Sequence, residues 1–169
     1  ISAQNAYLIN DMLQDNVRRG TGRRAYRELG RTDLSGKTGT TNESSDVWFA
    51  GYNGDIVTAA WIGFERVRPL GTREKGASTA LQMRIDFMRE ALDGAPLNMM
   101  SRPTGIIDVR INPETGLVAG AGENSIFEKF RTYHVPQSES VRSDLPESTI
   151  VRNYSELPRE KPTKPESIF

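Results

Sequence analysis

The dipeptide Asn53-Gly54, which lies between two strand-like stretches, constrains the fold more than any other feature of the sequence. Val47 to Tyr52 precede it, and residues 56–64 follow it as a nearly continuous run of β-branched, small and aromatic residues. Asn-Gly is a strong signal for a tight hairpin, because both residues readily adopt positive φ. We therefore predict two antiparallel strands, the second of them buried on both faces.

Apolar residues recur at helical spacing on both sides of these strands. Residues 2–19 form one such pattern, with Ser2 as the N-cap and Gly20 at the end, and residues 77–92 form another. An arginine-rich connection, residues 18–31, separates the first helix from the strands, and a second hairpin is predicted over residues 106–119. This order predicts an α+β fold, an antiparallel sheet with flanking helices.

The composition changes near residue 135. Residues 135–169 contain five of the nine prolines and six serines but only two aromatic residues. Such a segment buries too little apolar surface to offset the entropy lost on ordering. We therefore predict one domain over residues 1–134 and a flexible tail or linker over residues 135–169. Position 1 is not an initiator methionine, so we expect a part of a longer protein.

Charge and composition exclude several classes of function. The 22 basic residues balance the 22 acidic ones, which argues against a nucleic-acid-binding protein. The absence of cysteine excludes thiolate metal sites and cysteine nucleophiles, and a single histidine, His134, argues against a histidine-rich metal site. We expect no metal and no organic cofactor. No apolar run approaches the ~18 residues of a membrane span.

Residues 35–42, Ser-Gly-Lys-Thr-Gly-Thr-Thr-Asn, carry the most chemical information. A phosphate-binding P-loop is excluded, because the spacing from Gly30 to Gly36 is one residue too long and no amphipathic helix follows. The alternative is a strand, which places Lys37 and Gly39 on one face and Thr38 and Thr40 on the other. The ammonium and hydroxyl groups suit a carboxylate, a free edge amide suits an oxyanion, and a glycine at position 39 leaves room for substrate.

The segments around this motif, taken in order, resemble class A penicillin-binding proteins. The resemblance rests on residues 6–22, 36–42, 46–52 and 61–64, on the helix at 77–92 and on the Gly-Ile-Ile … Asn-Pro-Glu-Thr-Gly hairpin at 105–116. It covers about residues 1–133. It implies the C-terminal half of a penicillin-binding transpeptidase domain, the fold that serine β-lactamases share.

The resemblance also implies a function, peptidoglycan cross-linking by serine acyl transfer, with stem peptides as substrates and β-lactams as inhibitors. In this family a Lys-Thr-Gly strand borders the active site. Carried over, Lys37 would support proton transfer and attract the substrate carboxylate. The hydroxyl groups of Thr38 and Thr40 would hold that carboxylate, Gly39 would leave room beside it, and the Thr40 N–H would form half of the oxyanion hole.

Two further motifs of the family are missing. No serine is followed three positions later by lysine, and no Ser-x-Asn occurs. We therefore expect the nucleophile upstream, in a remainder that also carries a glycosyltransferase domain and a membrane anchor, at the periplasmic face of the bacterial inner membrane. Glu43 stands where aspartate is expected. Two alternatives remain open: a D,D-carboxypeptidase or β-lactamase-like hydrolase, and an inactive binding or scaffold module.

Overall fold

A computed structural model describes residues 1–71 and 74–138. The chain divides into two compact units, of which the first comprises residues 1–107 and 129–132. The second comprises residues 108–128 and the chain from residue 133 onward. The predicted tail falls almost entirely outside the described residues, so its boundary stays a prediction.

The described part of residues 1–91 contains three α-helices and three strands. These are α1 (Ala3–Arg18), α2 (Arg23–Leu29), β1 (Ser35–Thr40), β2 (Asp46–Tyr52), β3 (Val57–Gly63) and α3 (Leu81–Ala91), with a π-helical turn at Gly76–Ala80 before α3. Helix α1 begins as predicted, because the Ser2 side chain accepts a hydrogen bond from the Asn5 N–H at 3.2 Å. Helix α2 falls within the stretch predicted to be a connection, and it ends at Gly30, whose φ of 63° suits glycine.

The three strands form an antiparallel sheet in the order β1-β2-β3. The predicted hairpin joins β2 to β3: Asn53 N donates to Ile56 O at 3.0 Å, and Asn53 Oδ1 accepts from the N–H groups of Asp55 and Ile56. Since β2 lies in the middle, the residues that the structure describes pair β1 along one edge only. The α+β prediction is confirmed.

One face of the sheet forms the core with α3. Val47 and Phe49 of β2 are fully buried together with Ile85 and Met88 of the helix. The opposite face is open over the described residues, since Trp61 keeps 45% of its surface exposed. The prediction that β3 is buried on both faces is therefore wrong for this structure, because the described elements cover only the helix side.

Helix α1 meets β1 through polar side chains. Its buried residues are Asn10, Gln14 and Val17, whereas Ile9, on the apolar face predicted from periodicity, is 47% exposed. The Ser35 hydroxyl donates to Asn10 Oδ1 at 2.8 Å. An edge strand has backbone groups that need hydrogen-bonding partners, and the polar face of the helix supplies them.

A buried carboxylate holds the entry to β1. Asp33 accepts two hydrogen bonds from Arg31, at 3.0 and 2.7 Å, one from the Asn98 N–H at 3.0 Å and one from Asn53 Nδ2 at 3.3 Å. Burial opposes the charged form, but these hydrogen bonds and the charge of Arg31 outweigh it and lower the pKa of Asp33. The carboxylate thereby ties the start of β1 to the β2–β3 turn and to the segment after α3.

Two more strands, β4 (Ile106–Ile111) and β5 (Ile126–Arg131), form a two-stranded sheet. Within the second unit the predicted turn after β4 is present, with Gly116 N donating to Asn112 O at 2.8 Å and Asn112 N donating to Leu117 O at 2.9 Å. The chain returns only as a short bridge to Val118. The longer partner of β4 is β5, which the sequence analysis did not predict.

Candidate functional site

The four predicted site residues lie together on β1, at the free edge of the sheet. Lys37 and Thr40 are exposed, and Thr38 and Gly39 are half-buried. The register places Lys37 opposite Ala50 and Gly39 opposite Trp48 on the open face. Thr38 lies opposite Phe49 and Thr40 opposite Val47, on the face that packs against α3. The strand therefore has the alternation that its sequence implies.

The backbone N–H and C=O groups of β1 also alternate, from one residue to the next, between the two edges of the strand. Thr41 N, just beyond the strand, donates to Asp46 O on the β2 side at 3.0 Å. The even-numbered residues of β1 direct their backbone groups to the edge that does not face β2. There Gly36 O accepts from Asn16 Nδ2 at 2.7 Å, and Thr38 O accepts from Lys37 Nζ at 3.0 Å. By the same alternation the Thr40 N–H points to the free edge, on the same side as the lysine ammonium.

The ammonium group of Lys37 lies against its own strand. Besides Thr38 O, it donates to Thr38 Oγ1 at 3.4 Å. The Thr38 hydroxyl also lies 3.1 Å from the hydroxyl of Thr21, in the turn between α1 and α2. A positive charge and two hydroxyl groups are thus clustered at one point of the sheet edge.

Thr40 is anchored by the turn that precedes α3. Its Oγ1 accepts a hydrogen bond from Gly76 N at 3.2 Å, which leaves the hydroxyl proton available to another acceptor. A Cβ on Gly76 would lie 2.4 Å from Trp48 O and 2.9 Å from Gly39 O. Only glycine allows this turn to press so closely on β1.

Gly39 makes room on the open face. A Cβ at this position would lie 3.3 Å from the Cβ of Trp48, the residue directly opposite. Trp48 in turn lies beside Trp61, with ring centroids 6.0 Å apart, and Trp61 Nε1 donates to Asp46 Oδ1 at 2.9 Å. Glycine therefore adds no side chain to the open face between the lysine and this aromatic pair.

Three residues at this edge were not predicted to contribute to the site: Asn16, Thr21 and Gly76. Thr21 lies in the stretch predicted to be a connection, and Gly76 lies just before the helix predicted over residues 77–92. The one local signal is the Gly20-Thr21-Gly22 turn, because a polar residue between two glycines can approach neighbouring backbone closely. Their proximity to β1 depends on tertiary packing.

The site is built of an ammonium, hydroxyl groups and backbone amides. Within residues 1–71 and 74–138, no three histidine, aspartate or glutamate side chains are arranged to hold a metal ion. None of the helices that the structure describes is long and apolar enough to cross a lipid bilayer. The groups present at the edge favour a ligand with a carboxylate and a polarised carbonyl.

Comparisons with known proteins agree with the motifs. No protein-family model matches the chain. Penicillin-binding protein 1A of Pseudomonas aeruginosa is 49% identical over 139 residues, which is 82% of this chain and 17% of that protein. The protein of the same name from Neisseria lactamica is 45% identical over 107 residues, 63% of this chain and 13% of the relative.

A solved structure extends the likeness to the fold. The crystal structure of penicillin-binding protein 1A from Haemophilus influenzae matches with a TM-score of 0.74 and 34% identity, over 81% of this chain and 21% of that one. The chain therefore spans less than a quarter of the length of these proteins. Over that part, as the order of its motifs predicted, the chain is a relative of the penicillin-binding proteins 1A with a partial penicillin-binding fold.

Proposed function

We propose that this chain forms one wall of the active site of a peptidoglycan D,D-transpeptidase, a serine acyltransferase that β-lactams inhibit. The observation that carries the proposal is the arrangement at the edge of β1. The edge of β1 that does not pair with β2 carries the ammonium of Lys37, the Thr38 hydroxyl and the Thr40 N–H. The names of the relatives, penicillin-binding proteins 1A, support the same ligand class.

In this proposal the donor peptide ends in D-alanyl-D-alanine, and its terminal carboxylate binds at the edge. Lys37 attracts the carboxylate, and the hydroxyl of Thr40 donates a hydrogen bond to it, since that hydroxyl accepts from Gly76 N and retains its own proton. The Thr38 hydroxyl oxygen accepts a hydrogen bond from this ammonium. A carboxylate bound by an ammonium and a hydroxyl is fixed both in position and in orientation.

The chemistry is acyl transfer. A serine supplied by the remainder of the protein attacks the penultimate carbonyl, and the Thr40 N–H donates to the developing oxyanion. The serine proton passes to the nitrogen of the departing D-alanine, with Lys37 supporting the transfer electrostatically. An amine of a neighbouring stem peptide then attacks the acyl-enzyme: the new amide forms as the ester bond to serine breaks, and a proton from the amine returns to the serine oxygen. No metal or organic cofactor enters these steps.

The upstream remainder is the first partner of this chain. We infer that it carries the Ser-x-x-Lys and Ser-x-Asn motifs absent from this sequence, a glycosyltransferase domain and a membrane anchor. The likeness to less than a quarter of each relative supports this, because much of their length has no counterpart in this chain. The protein would then work at the periplasmic face of the bacterial inner membrane.

Acylation of the full-length protein by a fluorescent penicillin tests the function. Lys37→Ala removes an exposed charge and no packed group, so we expect an unchanged melting curve and a second-order acylation rate about 10²–10⁴-fold lower. Thr40→Val is expected to cost less, because its backbone amide remains. Arg24→Ala, which removes an exposed cation on α2, is the matched control and should acylate normally.

Three outcomes would contradict the proposal in different ways. A Lys37→Ala variant that acylates within a few-fold of wild type would remove this strand from the active site. Folded wild-type protein without any label would favour the inactive scaffold. Rapid deacylation, or transfer of the acyl group to water in place of a second stem peptide, would favour the hydrolase alternative.

A further inference from the structure

A continuous chain of hydrogen bonds runs from the end of α1 to Lys37. Asn16 Oδ1 accepts from Thr21 N at 3.3 Å and from Thr21 Oγ1 at 3.0 Å. The Thr21 hydroxyl lies 3.1 Å from the Thr38 hydroxyl, which in turn accepts from Lys37 Nζ at 3.4 Å. Four side chains from α1, the following turn and β1 are thereby linked.

The proton of each group in this chain can be assigned. Asn16 Nδ2 donates to Gly36 O at 2.7 Å, which fixes the orientation of the amide and leaves Oδ1 facing Thr21. An amide oxygen only accepts, so the single hydroxyl proton of Thr21 goes to Asn16. In the contact between the two threonines, Thr38 must therefore be the donor. With its proton used in this way, Thr38 presents only lone pairs to the ammonium of Lys37.

The turn is shaped to make this contact. A Cβ on Gly20 would lie 2.6 Å from Asn16 Oδ1 and 2.9 Å from Asn16 O, so a larger residue would displace the amide. Gly22 approaches Val17, where a Cβ would lie 3.1 Å from Cα. Glycines on both sides let the backbone bring the Thr21 hydroxyl between α1 and β1.

We propose that Thr21 is a positioning residue for the carboxylate site, an inference that rests on the function proposed above. By accepting the proton of Thr38, it turns the oxygen of that hydroxyl toward Lys37 and holds the ammonium at the free edge. In this structure Thr38 thus accepts from the lysine, and a bound carboxylate would meet the ammonium that Thr38 holds in place.

The test compares two penicillins on the full-length protein, one with a free carboxylate and its methyl ester. Thr21→Val keeps the shape of the side chain but offers Thr38 no acceptor, whereas Thr21→Ser keeps the hydroxyl. For Thr21→Val we expect acylation by the free acid to fall about tenfold, and acylation by the ester to change less than about twofold. Thr21→Ser should retain the wild-type ratio of the two rates. Thr21→Ala gives the same comparison should valine fail to fold.

The outcomes separate this inference from the proposed function. Equal loss of both rates in Thr21→Val and Thr21→Ala would mean that Thr21 only supports the fold, and would overturn the positioning role. An unchanged ratio in these variants, alongside a crippled Lys37→Ala, would also overturn it while leaving the proposed function intact. Absence of acylation in the wild type would refute the proposed function itself, and this inference with it.

Discussion

Replacing Arg84 by methionine should stabilise the protein. Arg84 lies on α3, is 1% exposed, and has its Cζ 5.1 Å from the centroid of the Phe49 ring. Its Nη1 is buried without a hydrogen-bond partner among the described residues. Burial lowers the pKa of the guanidinium to about 10 from its ordinary value of 12.5. That difference corresponds to a cost of roughly 3 kcal/mol for holding the charge inside the fold.

The interactions that methionine loses are smaller in sum. Nε donates to Thr58 Oγ1 at 2.9 Å, a bond worth about 1.5 kcal/mol net, and the contact with Phe49 adds about 1 kcal/mol. Nη2 lies 3.5 Å from Ser35 O and contributes little. Thr58 is not left unsatisfied, because its hydroxyl also donates to Gly51 O at 3.1 Å. We therefore expect a net gain of about 0.5 kcal/mol, and a rise in Tm of about 1–2 °C.

Thermal and urea unfolding, followed by circular dichroism at pH 7, measure this effect. Both the folded and the unfolded chain carry the arginine proton at this pH, so the whole burial cost is present. Arg89→Met on the same helix is the control: it removes exposed ion pairs with Asp86 and Glu28 and should lower stability by less than about 1 kcal/mol. A loss of more than about 1 kcal/mol in Arg84→Met would show that the hydrogen bond outweighs the burial cost, and would refute the reasoning.

Two further predictions concern the supports of β1. Gly76→Ala should destabilise the fold by about 2 kcal/mol, because its Cβ would meet Trp48 O at 2.4 Å. Gly39→Ala should cost less than about 1 kcal/mol, because the nearest atom to its Cβ is 3.3 Å away. Urea unfolding that gave equal losses for the two variants would contradict this. The pKa of Asp33 is held below its ordinary value of 3.8, so its contribution to stability is complete above about pH 4 and disappears as the pH falls through the lower folded value. Asp33→Asn should therefore lower stability at pH 7 by about 3 kcal/mol. It should also reduce the fall in Tm between pH 7 and pH 2, and an unchanged dependence of Tm on pH in this range would rule out this role.

Local chemistry determined the secondary structure at several points. Ser2 begins α1, Asn53-Gly54 turns between β2 and β3, and the helical spacing of apolar residues marks α1 and α3. The alternation along residues 35–40 was also readable, because a strand has a period of two whatever surrounds it. In each of these cases the deciding interactions lie within a few residues of one another.

The order of the motifs determined the relationship to penicillin-binding proteins 1A. No single motif would have sufficed, since a lone Lys-Thr-Gly is a short pattern that occurs by chance. Its position between the helical pattern that precedes Gly20 and the strand-like stretch from Asp46, within the ordered set of segments, made the assignment specific. The sequence therefore singled out the strand and the residues on it to which we assign the proposed chemistry.

Tertiary structure alone decided which groups surround that strand. Hydrophobic periodicity marked Ile9 for burial, but it is exposed, and α1 meets β1 through polar side chains. Asn10 accepts from the Ser35 hydroxyl and Asn16 donates to the Gly36 carbonyl, because such groups require polar partners. The link from Thr21 to Thr38 joins residues 17 positions apart, and Gly76 reaches Thr40 across 36. No local propensity encodes such contacts, since they depend on where whole helices pack, and the hydrogen-bonded edge that they form exists only in the folded chain.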